Sequence, residues 1–188
     1  RPAASCAPRK LVAYAAARHI TIVPEIDVPG HASAAIAAYP ELAVSDQSRV
    51  TSQQSLPPSD WGVYRNLFNV EEETFAFLED VLAEVVALFP GEYVHMGGDE
   101  AVKDQWKASA RVQARMRELG VRDEHELQSY FIRRMENYLN ARGKRLIGWD
   151  EILEGALAPN ATVVCWRAVK GAIAAATALP AGSMVGGS

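Results

Sequence analysis

Four short apolar runs set between long amphipathic stretches constrain this chain more than any other feature. They fall at residues 19–27, 92–96, 144–149 and 162–166. The first, His19-Ile-Thr-Ile-Val-Pro-Glu-Ile-Asp27, is β-branched and nearly continuous, which suits a strand buried on both faces. Helices are expected at 9–18, at 69–89, from just after Glu100 to about Gly120, and from Asp123 to Gly143. In the second of these Asn69 is a plausible cap, and Phe75, Leu78, Val81, Leu82, Val85, Leu88 and Phe89 form one stripe. The last carries Leu127, Phe131, Met135, Tyr138 and Leu139 at the same spacing.

Helices between successive strands imply parallel pairing, because a right-handed crossover returns the chain to the same end of the sheet. The ends of the four runs share a second property: Asp27 to His31, Asp99 and Glu100, Trp149 to Glu151, and Trp166 with Arg167 are polar or aromatic. Chemistry gathered at the C-terminal ends of several strands is the mark of a (β/α)8 TIM barrel, an α/β fold. Such a barrel needs about 250 residues, and this chain has 188. The expectation is a partial barrel in a single domain spanning 1–188. The loop at 45–60, rich in Ser, Gln and Pro, reads as a surface excursion. The last residues, 178–188, read as a tail without a closing helix or strand. Neither end carries a recognisable leader, so the chain reads as a piece of a longer one and its localisation stays open.

Charge and composition remove several function classes. Nineteen basic against 23 acidic residues give a net charge of −4 with no Lys/Arg stripe, which argues against nucleic acid as a partner. The uncharged apolar stretches fall short of the roughly 20 residues of a membrane span. Cys6 and Cys165 make neither a disulfide framework nor a CxxC metal site.

Three constellations carry chemistry. In His95-Met-Gly-Gly-Asp-Glu100, two glycines would let a substrate approach the backbone, and two adjacent carboxylates point in different directions, able to play different roles. The plainer alternative is a helix start with Asp99 as cap and Glu100 as a first-turn acid. In Ile26-Asp-Val-Pro-Gly-His31, the Pro-Gly turn swings His31 over the sheet end, within reach of a carboxylate. A loop histidine bonded to backbone is the plainer alternative there, and His95, inside a strand, reads as a core histidine. Trp149 and Trp166 end strands and offer faces for a sugar ring, with barrel packing as their alternative. Asp150 and Glu151 could equally pair with Arg145 or Arg167. A metal site drawn from His31, His95, Asp99 and Glu100 competes, but the chain lacks H-x-H or H-E-x-x-H spacing.

Taken together, Pro24-Glu-Ile-Asp-Val-Pro-Gly-His31, His95-Met-Gly-Gly-Asp-Glu100 and Gly148-Trp-Asp-Glu-Ile-Leu153 resemble the β-N-acetylhexosaminidases of glycoside hydrolase family 20. The likeness covers about residues 11–176; residues 1–9 and 177–188 depart from it. It implies a fragment covering roughly strands 3 to 6 of the barrel. It also implies a retaining exo-hydrolase of terminal β-linked N-acetylglucosamine or N-acetylgalactosamine, using the substrate's 2-acetamido group as nucleophile and no cofactor or metal. By the resemblance, Glu100 is the general acid and base, Asp99 orients the acetamido group, His31 supports Glu100, and Trp149 and Trp166 wall the sugar pocket. Parents of this family are often exported. The family's further site residues, upstream and downstream, do not fall within 1–188, so the chain alone is expected to be unstable or inactive. A sugar-binding module without hydrolysis and a metal-dependent barrel hydrolase are the competing readings; the intact Asp99-Glu100 pair argues against the first.

Overall fold

The structure is a computed structural model that describes residues 6–44, 59–156, 158–167 and 185–187. It has an α/β architecture built on four parallel strands in chain order: β1 (Tyr93–His95), β2 (Arg145–Trp149), β3 (Thr162–Cys165) and β4 (Val185–Gly187). Val94 lies opposite Leu146, Gly148 opposite Val163, and Val164 opposite Gly186. Strands that each pair with the next in sequence bring all their C-terminal ends to one rim.

Helices follow the expected alternation. α1 (Cys6–Ala16) precedes the first apolar run, and α2 (Ser33–Ala38) follows it. α3 (Glu72–Leu88) leads into β1, and α6 (Glu124–Asn140) leads into β2. Asp123 caps α6 by accepting from His125 N and Glu126 N, so the Asp-x-x-Glu signal is structural as expected. Asn69 does not cap α3, whose first flanking residue is Glu71. Asn69 instead ties the turn to the short 3-10 segment Pro40–Leu42, donating to Glu41 O at 2.7 Å and Ala43 O at 3.1 Å and accepting from Thr74 Oγ1.

The helix expected between Glu100 and Gly120 is broken into α4 (Asp104–Ala108) and α5 (Ala110–Leu119). Ser109 breaks it, with extended backbone and a side chain that accepts from Val112 N, which starts a new helix at its own cap. The first run also departs from expectation. Residues 24–28 run beside β1, with Ile26 N donating to His95 O and His95 N to Pro24 O, both at 2.9 Å. The segment has a strand partner on this one side only, among the described residues. Ile20 is 57% and Val23 40% exposed rather than doubly buried. At the other end, β4 is a closing strand the sequence did not announce. The 45–60 loop lies outside the described residues apart from 59 and 60, as do residues 1–5, 157, 168–184 and 188.

The core lies between the sheet and α3, α5 and α6. Val94, Met96, Leu127, Phe131, Met135, Leu139, Leu146 and Val163 are all but fully buried, and Phe75 of α3 meets Phe131 of α6 at 4.7 Å between ring centroids. Among the described residues no helix is long and apolar enough to cross a membrane.

Candidate active site

Beyond β1 the chain does not enter a helix. Gly97 (φ 62°) and Gly98 (φ 96°) turn through left-handed backbone, and Glu100 holds φ 49°, where a side chain is rarely tolerated. α4 starts only at Asp104, so Asp99 and Glu100 are not a cap and first-turn acid. The turn is pinned from three sides. Trp149 N donates to Gly97 O at 2.8 Å. Gln128 Nε2 donates to Gly98 O at 2.7 Å, and Gly98 N donates to Asp27 Oδ1 at 3.0 Å.

The glycines make room for the protein's own side chains. A Cβ on Gly97 would sit 1.9 Å from Asp27 Oδ1, and one on Gly98 would sit 2.5 Å from Ile152 Cγ2. The space they leave is what allows Asp27 to reach under the turn.

Opposite stands His31, also at a left-handed φ of 49°. Its Nε2 lies 3.5 Å from Glu100 Oε2, 3.6 Å from Asp99 Oδ2 and 3.9 Å from Asp27 Oδ2. His31, Asp99 and Glu100 therefore come together as the motif spacing led one to expect. Asp27 is the added member. Burial pushes its carboxyl up to about 8, the Gly98 N–H pulls it down, and the neighbouring Asp99 raises it again. Burial thus favours the protonated form of Asp27 at neutral pH. Asp27, His31 and Asp99 each offer one ligand atom within 4.8 Å of the others. A cation would fit that set, but the Asp27 proton and the Gly98 bond already account for the approach.

Trp149 ends β2 on the same rim. Its Nε1 donates to Glu25 Oε1 at 3.0 Å, and its ring meets His95 at 4.7 Å between centroids. Trp166 follows β3, 47% exposed, with Nε1 donating to Glu151 Oε2 at 3.1 Å. Asp150 and Glu151 are buried and pair with Arg167 rather than Arg145, at 2.9 and 3.4 Å, and Arg167 also reaches Glu154 at 2.6 Å. Arg145 faces Glu92 instead. Burial raises the Glu151 carboxyl and lowers the Lys103 ammonium. Lys103, Glu151 and Arg167, with Val63 and Glu154, line a cleft of about 280 Å³ that opens beside Glu100.

Glu25, Asp27, Lys103 and Arg167 escaped the sequence reading as site members. Asp27 and Glu25 stand in the same motif as His31, and Arg167 stood among the rim groups as a salt-bridge partner; Lys103 left no signal.

The chain matches the family model described as glycosyl hydrolase family 20, catalytic domain, over residues 7–185, further at both ends than the motifs alone reach. It is 53% identical over 169 residues to a beta-hexosaminidase of Porphyromonas gingivalis, covering 89% of this chain and 21% of that one. Against a beta-hexosaminidase of Vibrio furnissii the identity is 42%, with 83% and 25% covered. Among solved structures, the Flavobacterium johnsoniae chitobiase superposes with a TM-score of 0.80 at 34% identity, over 92% of this chain and 27% of that one. An exo beta-N-acetylglucosaminidase from Vibrio harveyi, solved with N-acetylglucosamine, gives 0.77 at 36%, with 92% and 27% covered. The chain thus spans about a fifth to a quarter of the length of these curated relatives.

Proposed function

This chain belongs to glycosyl hydrolase family 20, and from that premise we propose that it forms part of a catalytic barrel that removes terminal β-linked N-acetylhexosamines from glycans. In this reading the segment at 24–28 and strands β1 to β3 correspond roughly to barrel strands 3 to 6, within one domain that extends beyond the chain. The observation that supports it best is the meeting of His31, Asp99 and Glu100 within 3.6 Å at the sheet's C-terminal rim.

The division of labour follows from the surroundings of each group. The 2-acetamido oxygen of the substrate attacks the anomeric carbon as the bond to the leaving oxygen breaks. Glu100 donates its carboxyl proton to that oxygen; beside the cleft it is positioned to meet a leaving group. Asp99, held beside Asp27 and His31, turns its carboxylate to the acetamido N–H, where positive charge develops. His31 spans both acids and orients Glu100. Trp149, fixed by Glu25, and Trp166, fixed by Glu151, supply apolar faces to the sugar and its acetamido methyl. Water then attacks the anomeric carbon of the oxazolinium, Glu100 takes its proton, and the acetamido oxygen departs, giving net retention. As in the retaining two-carboxylate scheme there are two inversions at one carbon; the acetamido oxygen in place of a protein nucleophile is what distinguishes this route.

The test compares aryl 2-acetamido-β-glucoside with the matching 2-hydroxy glucoside, with and without EDTA, using the protein with its native flanking sequence. Hydrolysis of the acetamido substrate alone, insensitive to chelator, is the expected result. Cleavage of both, or loss with EDTA, overturns it, and the second outcome favours a metal-dependent hydrolase with Asp27, His31 and Asp99 as the ligand set.

A further inference from the structure

His95 lies immediately before the turn that carries the two acids, yet the mechanism above does not use it. It is 92% buried by its 8% exposure, and its Nδ1 has two neighbours with opposite demands. Gly97 N donates to that nitrogen at 3.0 Å, which requires a bare lone pair. Glu25 Oε1 lies 3.2 Å from the same atom, a contact favourable when Nδ1 carries a proton. One nitrogen cannot serve both. Nε2 is buried, with no hydrogen-bond partner among the described residues.

We propose that His95 is a positioning residue of the acid-presenting turn: neutral, with its proton on Nε2, it receives the Gly97 N–H on Nδ1 and so holds the left-handed path that aims Asp99 and Glu100. Its consequence for turnover rests on the proposed glycosidase reading, but its geometry does not. Gly97 begins a turn that passes through two left-handed glycines and ends at Glu100, whose own positive φ is strained and persists only where surrounding bonds over-determine it. The groups facing the ring are Glu25 from the neighbouring segment, Asp99 from the turn and Trp149 from β2. The two carboxylates favour the charged ring and burial opposes it; burial is the larger influence and keeps the imidazole below its usual range. Protonation would turn Nδ1 toward Glu25, strip Gly97 of its acceptor, and disturb the carboxylate that holds Trp149 Nε1.

Two substitutions separate this role from packing. His95→Asn places an amide oxygen where Nδ1 stands and keeps the acceptor while losing ring volume. His95→Phe keeps the ring against Trp149 and loses the acceptor. Positioning predicts that the Asn variant keeps kcat within about threefold and the Phe variant loses about tenfold or more, with KM moving less than kcat. A packing role predicts the opposite order, and that order overturns the proposal, as does equal loss in both.

Should either variant fail to fold, magic-angle-spinning NMR of the wild-type protein labelled with 15N-histidine decides directly. A neutral ring with bare Nδ1 and protonated Nε2 at pH 7, in contact with Trp149, is expected. A proton on Nδ1 overturns the proposal whatever the activity. Absence of acetamido-glycoside hydrolysis in the wild type would sink the functional reading alone and leave the NMR result standing.

Discussion

His31 and Glu100 hold the same left-handed φ of 49° and face each other across 3.5 Å, Nε2 to Oε2. Neither is glycine, and each such residue costs on the order of 1–3 kcal/mol. Gly30 is what lets their backbones approach: a Cβ there would lie 3.2 Å from Asp99 O and 3.4 Å from Ala101 Cα. Gly30→Ala is therefore expected to push the two turns apart and lower kcat/KM about tenfold, while the melting temperature moves by only a few degrees. Steady-state kinetics and a thermal melt on one preparation of the protein with its native flanking sequence check this; unchanged kinetics would mean that the approach of the two turns has no bearing on activity.

Substituting the two acids should give different signatures. Glu100→Gln removes the proton donor, so turnover of substrates with poor leaving groups is expected to fall about 10²- to 10⁴-fold. Activated aryl glycosides, which need little protonation, should suffer less. Asp99→Asn removes charge stabilisation from both substrate types and should cost about 10²-fold on each. A leaving-group series on both variants gives the comparison, and identical losses throughout would refute the assignment.

Asp27 makes stability depend on pH in a direction unusual for a carboxylate. Folded, it keeps its proton up to about 8; its ordinary value is 3.8. Between those limits the folded state binds more protons than the unfolded one, so stability falls as pH rises. The contribution is fully present below 3.8 and lost above about 8. Asn cannot ionise, and its amide can still accept from Gly98 N and donate to Asp99. In the protein with its native flanking sequence, the melting temperature of Asp27→Asn minus that of wild type is thus expected to grow from pH 4 to pH 8. Two melting curves that track each other across that range would contradict the buried-proton account.

Leu11, Tyr14, Ile20 and Val23 are each at least 40% exposed, on α1 and the run that follows it. Expressed alone, the chain is expected to bind a hydrophobic dye and to melt without a cooperative transition. A sharp transition with native-like near-UV dichroism would show that this face tolerates water.

The regular elements were legible because their information is local. Leu127, Phe131, Met135 and Leu139 recur at helical spacing, and Asp123 signals its own cap, so α6 could be read to one residue at its start and three at its end. Elements defined by a neighbour were not. Val185–Gly187 holds two glycines, poor strand formers, and becomes a strand only through pairing with β3. The break at Ser109 depends on a single hydroxyl choosing backbone over solvent. In the site, Asp99, Glu100 and His31 announced themselves through contiguous motifs. Asp27 acts on Gly98 across 71 residues, and Glu25 on Trp149 across 124, separations at which spacing carries no signal.

Strict chain order in the sheet also sets a sequence of events for a polypeptide leaving the ribosome. Each strand finds its partner in the strand made just before it, so the sheet can grow outward one crossover at a time without waiting for a distant segment. The rim is different: Glu25 emerges early but gains Trp149 only when β2 has docked, and His31 waits for Glu100. Hydrophobic shelter thus precedes chemical competence during synthesis, and a ribosome stalled before β2 would hold a nascent chain with both acids present but Glu25 still without its indole.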